Sequence, residues 1–164
     1  MSGMIHEPGR IAVFIGNHRY QCQDIADAAF RSYVRENAPQ LVIEESRPTH
    51  EIPEQAYWMV KNLLETKKDL VGILIVGGGI SGVLRALREV PAERRDKIKV
   101  ICRDIGPATL GGLGEGLVTA TLCHPVDAMP DLLVDTLIEV INKDTIDSPI
   151  QKTLPFDILT PANF

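Results

Sequence analysis

The segment Asp69-Leu70-Val71-Gly72-Ile73-Leu74-Ile75-Val76-Gly77-Gly78-Gly79-Ile80-Ser81-Gly82 limits the possible folds more than any other stretch of the chain. From Leu70 to Val76 it shows no polar alternation, the pattern of a strand covered on both faces of a parallel sheet. It ends on consecutive glycines, which permit a sharp reversal. Ile80, Val83, Leu84 and Leu87 then fall at helical spacing. Strand, glycine loop and helix in this order place backbone N–H groups and a helix N-terminus at the carboxyl edge of a sheet, where open α/β folds hold ligands.

The flanking chain repeats the unit. Gly9 to Gly16 reads as a first strand, Asn17 to Gln21 as the loop at its end, and Ala26, Ala29, Phe30 and Tyr33 as the buried stripe of a helix closing near Asn37. Leu41 to Glu45 is a second strand, and Pro53 opens a helix buried through Ala56, Met59, Val60, Leu63 and Leu64. Lys97 to Arg103 is a fourth strand with Asp104 at its tip, and Leu117 to Leu122 a fifth. Between them, Gly106 to Gly116 carries so many glycines that it is expected to be a loop. A helix across 125–143 has a stripe of Met129, Leu132, Leu133, Leu137, Val140 and Ile141, and a tail at 144–164 holds short edge strands around Ile150 to Leu154 and Phe156 to Leu159. Residues 1–8 are expected to be disordered or foreign to the fold, and 9–164 to form one lobe.

Alternating strands and helices imply an α/β fold of parallel βαβ units with right-handed crossovers. A flavodoxin-like strand order of 2-1-3-4-5 puts the topological switch point between strands 1 and 3. The site is then expected from Gly16 to Tyr20, Gly77 to Gly79, and Asp104.

Composition excludes several classes. A net charge of −5, with basic residues interleaved with acids as in Glu93-Arg94-Arg95-Asp96-Lys97, opposes a nucleic-acid surface. No apolar run approaches the roughly 20 residues of a membrane span, and the first residues lack the pattern of a signal peptide. Cys22, Cys102 and Cys123 are an odd set without metal-ligand spacing, which fits free thiols in the cytoplasm.

Gly77-Gly78-Gly79-Ile80-Ser81-Gly82 matches GxGxxG, follows a strand, opens a helix and has an acid, Asp104, at the end of the next strand. One reading is therefore an NAD(P)-binding Rossmann-type unit. Against it, the motif follows the third strand rather than the first, and no residue set downstream looks catalytic.

A second reading comes from resemblance. Gly9 to Gly16 with Phe30-Arg31-Ser32, Val71-Gly72-Ile73 with Gly77 to Gly79 and Gly82, Val100 to Asp104, Val118 to Pro125, and Leu154 to Asn163 together resemble the second half of a LacI-family sensor domain. That fold is shared with periplasmic sugar-binding proteins. The resemblance implies two α/β lobes closing over a small effector, commonly a sugar, with a separate helix-turn-helix for operator DNA. It implies that this chain corresponds to the C-terminal lobe, without the DNA-binding module and most of the first lobe. It implies no catalysis, cofactor or metal. Asp104 matches the family acid that accepts hydrogen bonds from ligand hydroxyls. Cys123, Ala26 and Ile80 stand where relatives often carry an amide, an arginine and a polar residue, so the effector is expected to be less polar than a free hexose, or the original ligand to have been lost.

Ligand contacts are thus expected at Asp104, Arg19, Tyr20, Gly78, Gly79 and Cys123. The plainer alternatives are a surface carboxylate capping a turn for Asp104, a solvated loop for His18, Arg19 and Tyr20, and a small core residue for Cys123. Cys123 and His124 are adjacent on a strand and so point to opposite faces, which opposes a nucleophile–base pair. The helix at 125–143 is expected to be repositioned, or covered in a homodimer, because the resemblance implies that it normally packs on the first lobe. An exported sugar-binding transport component shares all of this lobe physics and stands as a further reading.

Overall fold

The structure, a computed structural model, describes residues 1–143 and 148–164. The part of the expected tail at 144–147 lies outside the described residues. The elements are β1 (Gly9–Ile15), α1 (Gln21–Asn37), β2 (Leu41–Ile43), β3 (Arg47–Pro48), α2 (Pro53–Thr66), β4 (Leu70–Ile75) and α3 (Ile80–Arg88). They continue with α4 (Ala92–Arg95), β5 (Lys99–Arg103), α5 (Pro107–Gly114), β6 (Ala120–Cys123), α6 (Met129–Ile141) and β7 (Asp157–Leu159).

The sheet runs β2-β1-β4-β5-β6-β7, so its first five strands follow the expected flavodoxin-like order. All ladders are parallel except β6 with β7. β3 pairs with the carboxyl end of β1, Phe14 opposite Arg47 and Ile15 opposite Pro48, continuing the edge that β2 begins. The chain places β2 and β3 on one side of β1 and then crosses to β4 on the other, so the expected switch point lies between β1 and β4 and opens a crevice at the carboxyl edge.

β4 is central and covered on both faces, as its unbroken apolar run requires. One face carries α2 and α3, whose Ala56, Val60, Leu63, Val83, Leu84 and Leu87 join Phe14, Ile73 and Ile75 in the main core. The other face carries α1, through Val34 and Phe30 against Ile11, Val13 and Ile43. The expected stripe of α1 is displaced: Tyr33 and Ala29 face solvent, while Gln23 and Val34 are its buried residues. A polar Gln in the buried position defeats a pattern read from apolar residues alone.

Three further expectations are corrected. Residues 1–8, expected to lack order, include a short 3₁₀ turn at Ser2–Met4 and bury Ile5 against Ile11 and Val34. Gly106 to Gly116, expected to be a loop, contains α5: Pro107 occupies its first turn, and Leu113 and Thr109 are buried. A Cβ on Gly112 would lie 2.7 Å from Val118 Cγ2 and 2.8 Å from Leu84 Cδ1, so glycine here lets a helix press on its neighbours, and packing outweighs low helix propensity. Among the described residues only the second of the two tail pieces forms a strand, β7, while Ile150 to Leu154 joins no ladder.

α6 has the predicted helical period but buries none of its residues. Leu133, Val134, Leu137, Ile138 and Ile141 are each more than half exposed. Among the described residues, α6 borders β6 only across a cavity lined by Leu122, Cys123, Met129 and Leu132.

The approach of α3 to α2 depends on Gly82, where a Cβ would collide with the carbonyl oxygen of Pro53 and lie 3.0 Å from the backbone nitrogen of Tyr57. Gly82→Ala is therefore expected to lower unfolding free energy by about 1–3 kcal/mol, the range for overpacking. Gly106→Ala, where a Cβ meets nothing, should stay within about 0.5 kcal/mol. Equal denaturation midpoints for the two variants would show that this helix contact is not as tight as described.

Candidate functional site

The switch point holds a cleft of about 530 Å³ lined by Gln23, Glu51, Gly77, Gly78, Asp104 and His124, with Cys22, Val76, Ile80 and Arg103 completing it. Its floor is the close meeting of the ends of β1 and β4. A Cβ on Gly77 would collide with the backbone nitrogen of Gly16, so the two strand ends touch main chain to main chain. Glycine at Gly77 is required by this approach.

Gln23, in the first turn of α1, reaches back to that junction. Its Oε1 accepts from the N–H of Gly16 at 2.7 Å and of Asn17 at 3.1 Å, and its Nε2 donates to Glu51 Oε1 at 3.3 Å. Buried backbone donors freed as β1 ends are thereby satisfied. From the other side, the wholly buried Thr49 donates its hydroxyl to the Gly78 carbonyl at 2.9 Å. Its backbone N–H donates to the Ile15 carbonyl at 2.8 Å. His50 and Glu51 then both adopt left-handed backbone conformations, φ 53° and 62°. Such a pair is costly for residues with a Cβ. It turns the Glu51 side chain back over the glycines, where a Cβ on Gly16 or Gly78 would collide with its carboxylate.

The opposite wall is polar as well. Asp104 follows β5 in a left-handed conformation, φ 69°, and is fixed by its N–H donating to the Leu122 carbonyl at 2.7 Å. Thr121 Oγ1 donates to the Asp104 carbonyl at 2.8 Å. The Asp104 carboxylate pairs with His124 Nδ1, and Arg103 Nη2 lies 3.5 Å from His124 Nε2. The His124 ring thus stands between the acid and the guanidinium, one nitrogen facing each. Arg103 Nη1 also donates to the Cys22 carbonyl at 3.3 Å, tying the start of α1 to β5.

Of the residues expected at the site, Asp104 and Gly78 line the cleft. Gly79 does not; it caps α3 at φ 95° and packs against Ala56 and Thr49. Arg19 and Tyr20 are turned to solvent and pair with each other, Arg19 Nη2 donating to Tyr20 Oη at 2.8 Å. His18 bonds Asp24 instead. Cys123 lines a separate, largely apolar cavity of about 580 Å³ with Leu132, Pro155 and Phe156. Ile80 does line the cleft, whereas Ala26 is not among its lining residues. Gln23, Glu51, Arg103 and His124 were not anticipated as ligand contacts. The position of His124 just past a parallel strand was a usable signal, since the carboxyl ends of such strands face the crevice. Gln23 and Glu51 carried none, because long-range pairing brings them there.

The cofactor reading of the glycine motif fails on this geometry. A pyrophosphate needs the space above the glycines and the free N–H groups there, and a carboxylate already lies over them. Glu51 would repel the phosphates that the fingerprint serves to hold.

All three cysteines are unpaired, Cys22 exposed and Cys102 and Cys123 buried. Burial pushes the Cys102 thiol up to about 12 and raises that of Cys123, which lowers the thiolate fraction of each.

This arrangement defines a ligand-binding lobe of the open α/β class, built at a switch point and lined by hydrogen-bonding side chains. The chain belongs to the periplasmic binding protein domain family, which it matches over residues 2–145. Among solved structures it is similar to a XylFII–LytSN complex, with TM-score 0.83, 19% identity, and coverage of 100% of this chain and 57% of that one. It is similar to GanP, a glucose-galactose binding protein from Geobacillus stearothermophilus, with TM-score 0.82, 19% identity, 94% of this chain and 54% of that one. It is also similar to an ABC transporter solute binding protein from Agrobacterium vitis with bound D-fucose, with TM-score 0.83, 21% identity, 99% of this chain and 55% of that one. The chain thus spans a little over half the length of these structures. No curated protein sequence matches it. No helix among the described residues is long and apolar enough to cross a membrane.

Two measurements check this geometry. Gln23→Leu, which orphans the N–H groups of Gly16 and Asn17, is expected to cost about 1–3 kcal/mol in chemical denaturation. Native protein at about pH 8 should expose one fast thiol, Cys22, to a chromogenic disulfide reagent, and denaturant should release the other two. Three equally fast thiols in the native state would contradict the burial of Cys102 and Cys123.

Proposed function

We propose that this chain supplies one wall of a cleft for a small hydroxylated molecule of the sugar type, and that it binds without catalysing a reaction. The observation that carries the proposal is the ring of hydrogen-bonding side chains around the switch point. Asp104 and Glu51 present acceptors, Gln23 an amide and Arg103 a donor, with the His124 ring between Asp104 and Arg103 and apolar Val76 and Ile80 beside them. A sugar offers alternating hydroxyls and C–H faces, and this mixture suits both. The neighbours named for glucose-galactose and D-fucose binding support it at the level of the fold.

Because the chain spans just over half of those structures, the second wall belongs to a further lobe, and closure of the two lobes around ligand is the working motion. In the parent, this lobe serves a solute-binding component of transport or sensing, the role that the neighbours favour. A LacI-type regulator is the second reading. The unpaired, solvent-exposed Cys22 favours it, since such a thiol suits a reducing cytoplasm better than an oxidising exterior. In that case operator DNA is contacted only by a helix-turn-helix outside these residues. The sequence preceding this lobe in its parent decides: an export signal supports the transport role and a helix-turn-helix the regulator.

The exposed apolar side of α6 is covered in the working protein. For the isolated chain we place a second copy there, forming a homodimer through Leu133, Leu137 and Ile141. Sedimentation should show a dimer at micromolar concentration that Leu137→Asp converts to monomer. A monomer before substitution would remove the homodimer and leave the face to the other lobe.

The ligand proposal is tested by calorimetry or ligand-observed NMR with D-glucose, D-galactose, D-fucose and D-allose. Asp104→Asn is expected to weaken the best of them by about tenfold or more, the loss of a charged acceptor, with little change in melting temperature. Unchanged affinity would take Asp104 out of the cleft chemistry.

A further inference from the structure

We infer that Glu51 is the residue that sets the ligand class of this cleft, admitting neutral or amine-bearing polyols and excluding acids and phosphate esters from the glycine wall. The inference rests on the cleft reading above and deepens it.

Helix α3 begins immediately after Gly77, Gly78 and Gly79, and such a junction attracts anions. Here the attraction is answered from within the chain. The Glu51 carboxylate lies where side chains on Gly16 and Gly78 would otherwise stand. Gln23 Nε2 holds it there, and that amide is itself anchored on the N–H groups of Gly16 and Asn17. The left-handed backbone at His50 and Glu51 aims it. Glu51 is therefore in place before ligand arrives and need not reorganise.

Charge then decides what it meets. The cleft is lined by one permanent cation, Arg103, against two carboxylates, Glu51 and Asp104. Arg103 and His124 lie on the Asp104 side, with His124 paired directly to Asp104. Among the described residues no cation forms an ion pair with Glu51, whose partner is a neutral amide. The glycine wall therefore presents a carboxylate with no ion-paired cation and with free acceptor capacity. Hydroxyl or ammonium hydrogens satisfy it; a second carboxylate or a phosphate beside it is repelled. Rejection of a wrong charge is a stronger discriminator than the fit of one more methylene.

The test compares the full chain with Glu51→Gln, a near-isosteric change that removes charge and keeps hydrogen bonding. The probes are D-galactosamine, D-galactose, D-galacturonate and D-galactose 6-phosphate, followed by saturation-transfer NMR and calorimetry. Wild type should bind the amine or neutral member at least about tenfold more tightly than either anion. In Glu51→Gln that ratio should fall to about threefold or less, mainly because the anions bind better. Asp104→Asn is the contrast, expected to weaken all members together. A wild type that binds an anion as tightly as galactose, or a ratio unchanged in Glu51→Gln, overturns the role of Glu51 while leaving the sugar cleft intact. Binding of no member by any of the proteins overturns the cleft reading and this inference with it.

Discussion

The meeting of the ends of β1 and β4, backbone against backbone with no room for a Cβ between Gly16 and Gly77, is the constraint from which the rest of the site follows. Two strand ends at that separation must each find partners for the N–H and carbonyl groups that leave the ladder. The carboxyl ends of β1, β3 and β4 therefore have to be sealed by side chains arriving from elsewhere. Gln23 and Thr49 do so, and each is buried because it does. Burial of such polar groups is tolerable only with their hydrogen bonds made.

Sealing the junction also shapes the ligand wall. The chain leaving β3 uses Thr49 to hold the Gly78 carbonyl, then passes through two left-handed residues before Pro53 starts α2. That detour lays a carboxylate over the glycines. Across the cleft, Asp104 is a second left-handed residue at a strand end, steadied by its N–H on the Leu122 carbonyl and by Thr121 on its own carbonyl. Non-glycine residues held in this conformation concentrate where a side chain must be aimed, and here Glu51 and Asp104 both line the same crevice, with His50 next to it in the chain. The electrostatic outcome is asymmetric: an acid paired with a histidine near an arginine on one side, and an acid bonded only to an amide on the other.

The same asymmetry separates this chain from a dinucleotide-binding unit that shares its local pattern. GxGxxG after a strand and before a helix specifies a tight turn and a close approach. It does not say what approaches. In this protein the glycines admit the carboxylate of Glu51, and for Gly82 the carbonyl of Pro53, so the small residues serve packing and an internal acid.

Much of the architecture could be read without coordinates. The unbroken run of β4, the stripes of α2 and α3 and the alternation of strands with helices are local, periodic signals, and they determined the doubly wound sheet, its strand order and the place of the crevice. Asp104 and Gly78 followed, since rank along a strand decides which residues reach the carboxyl edge. Tertiary structure alone decided the remainder. Gly106 to Gly116 became partly helical because Val118 and, from far away in the chain, Leu84 press on Gly112. Arg19 and Tyr20 turned outward, Cys123 joined a different cavity, and Gln23, Glu51 and His124 converged from three separate elements. Periodicity records which face a residue occupies on its own element; which distant side chains share a crevice depends on how elements pack, and that has no local signature.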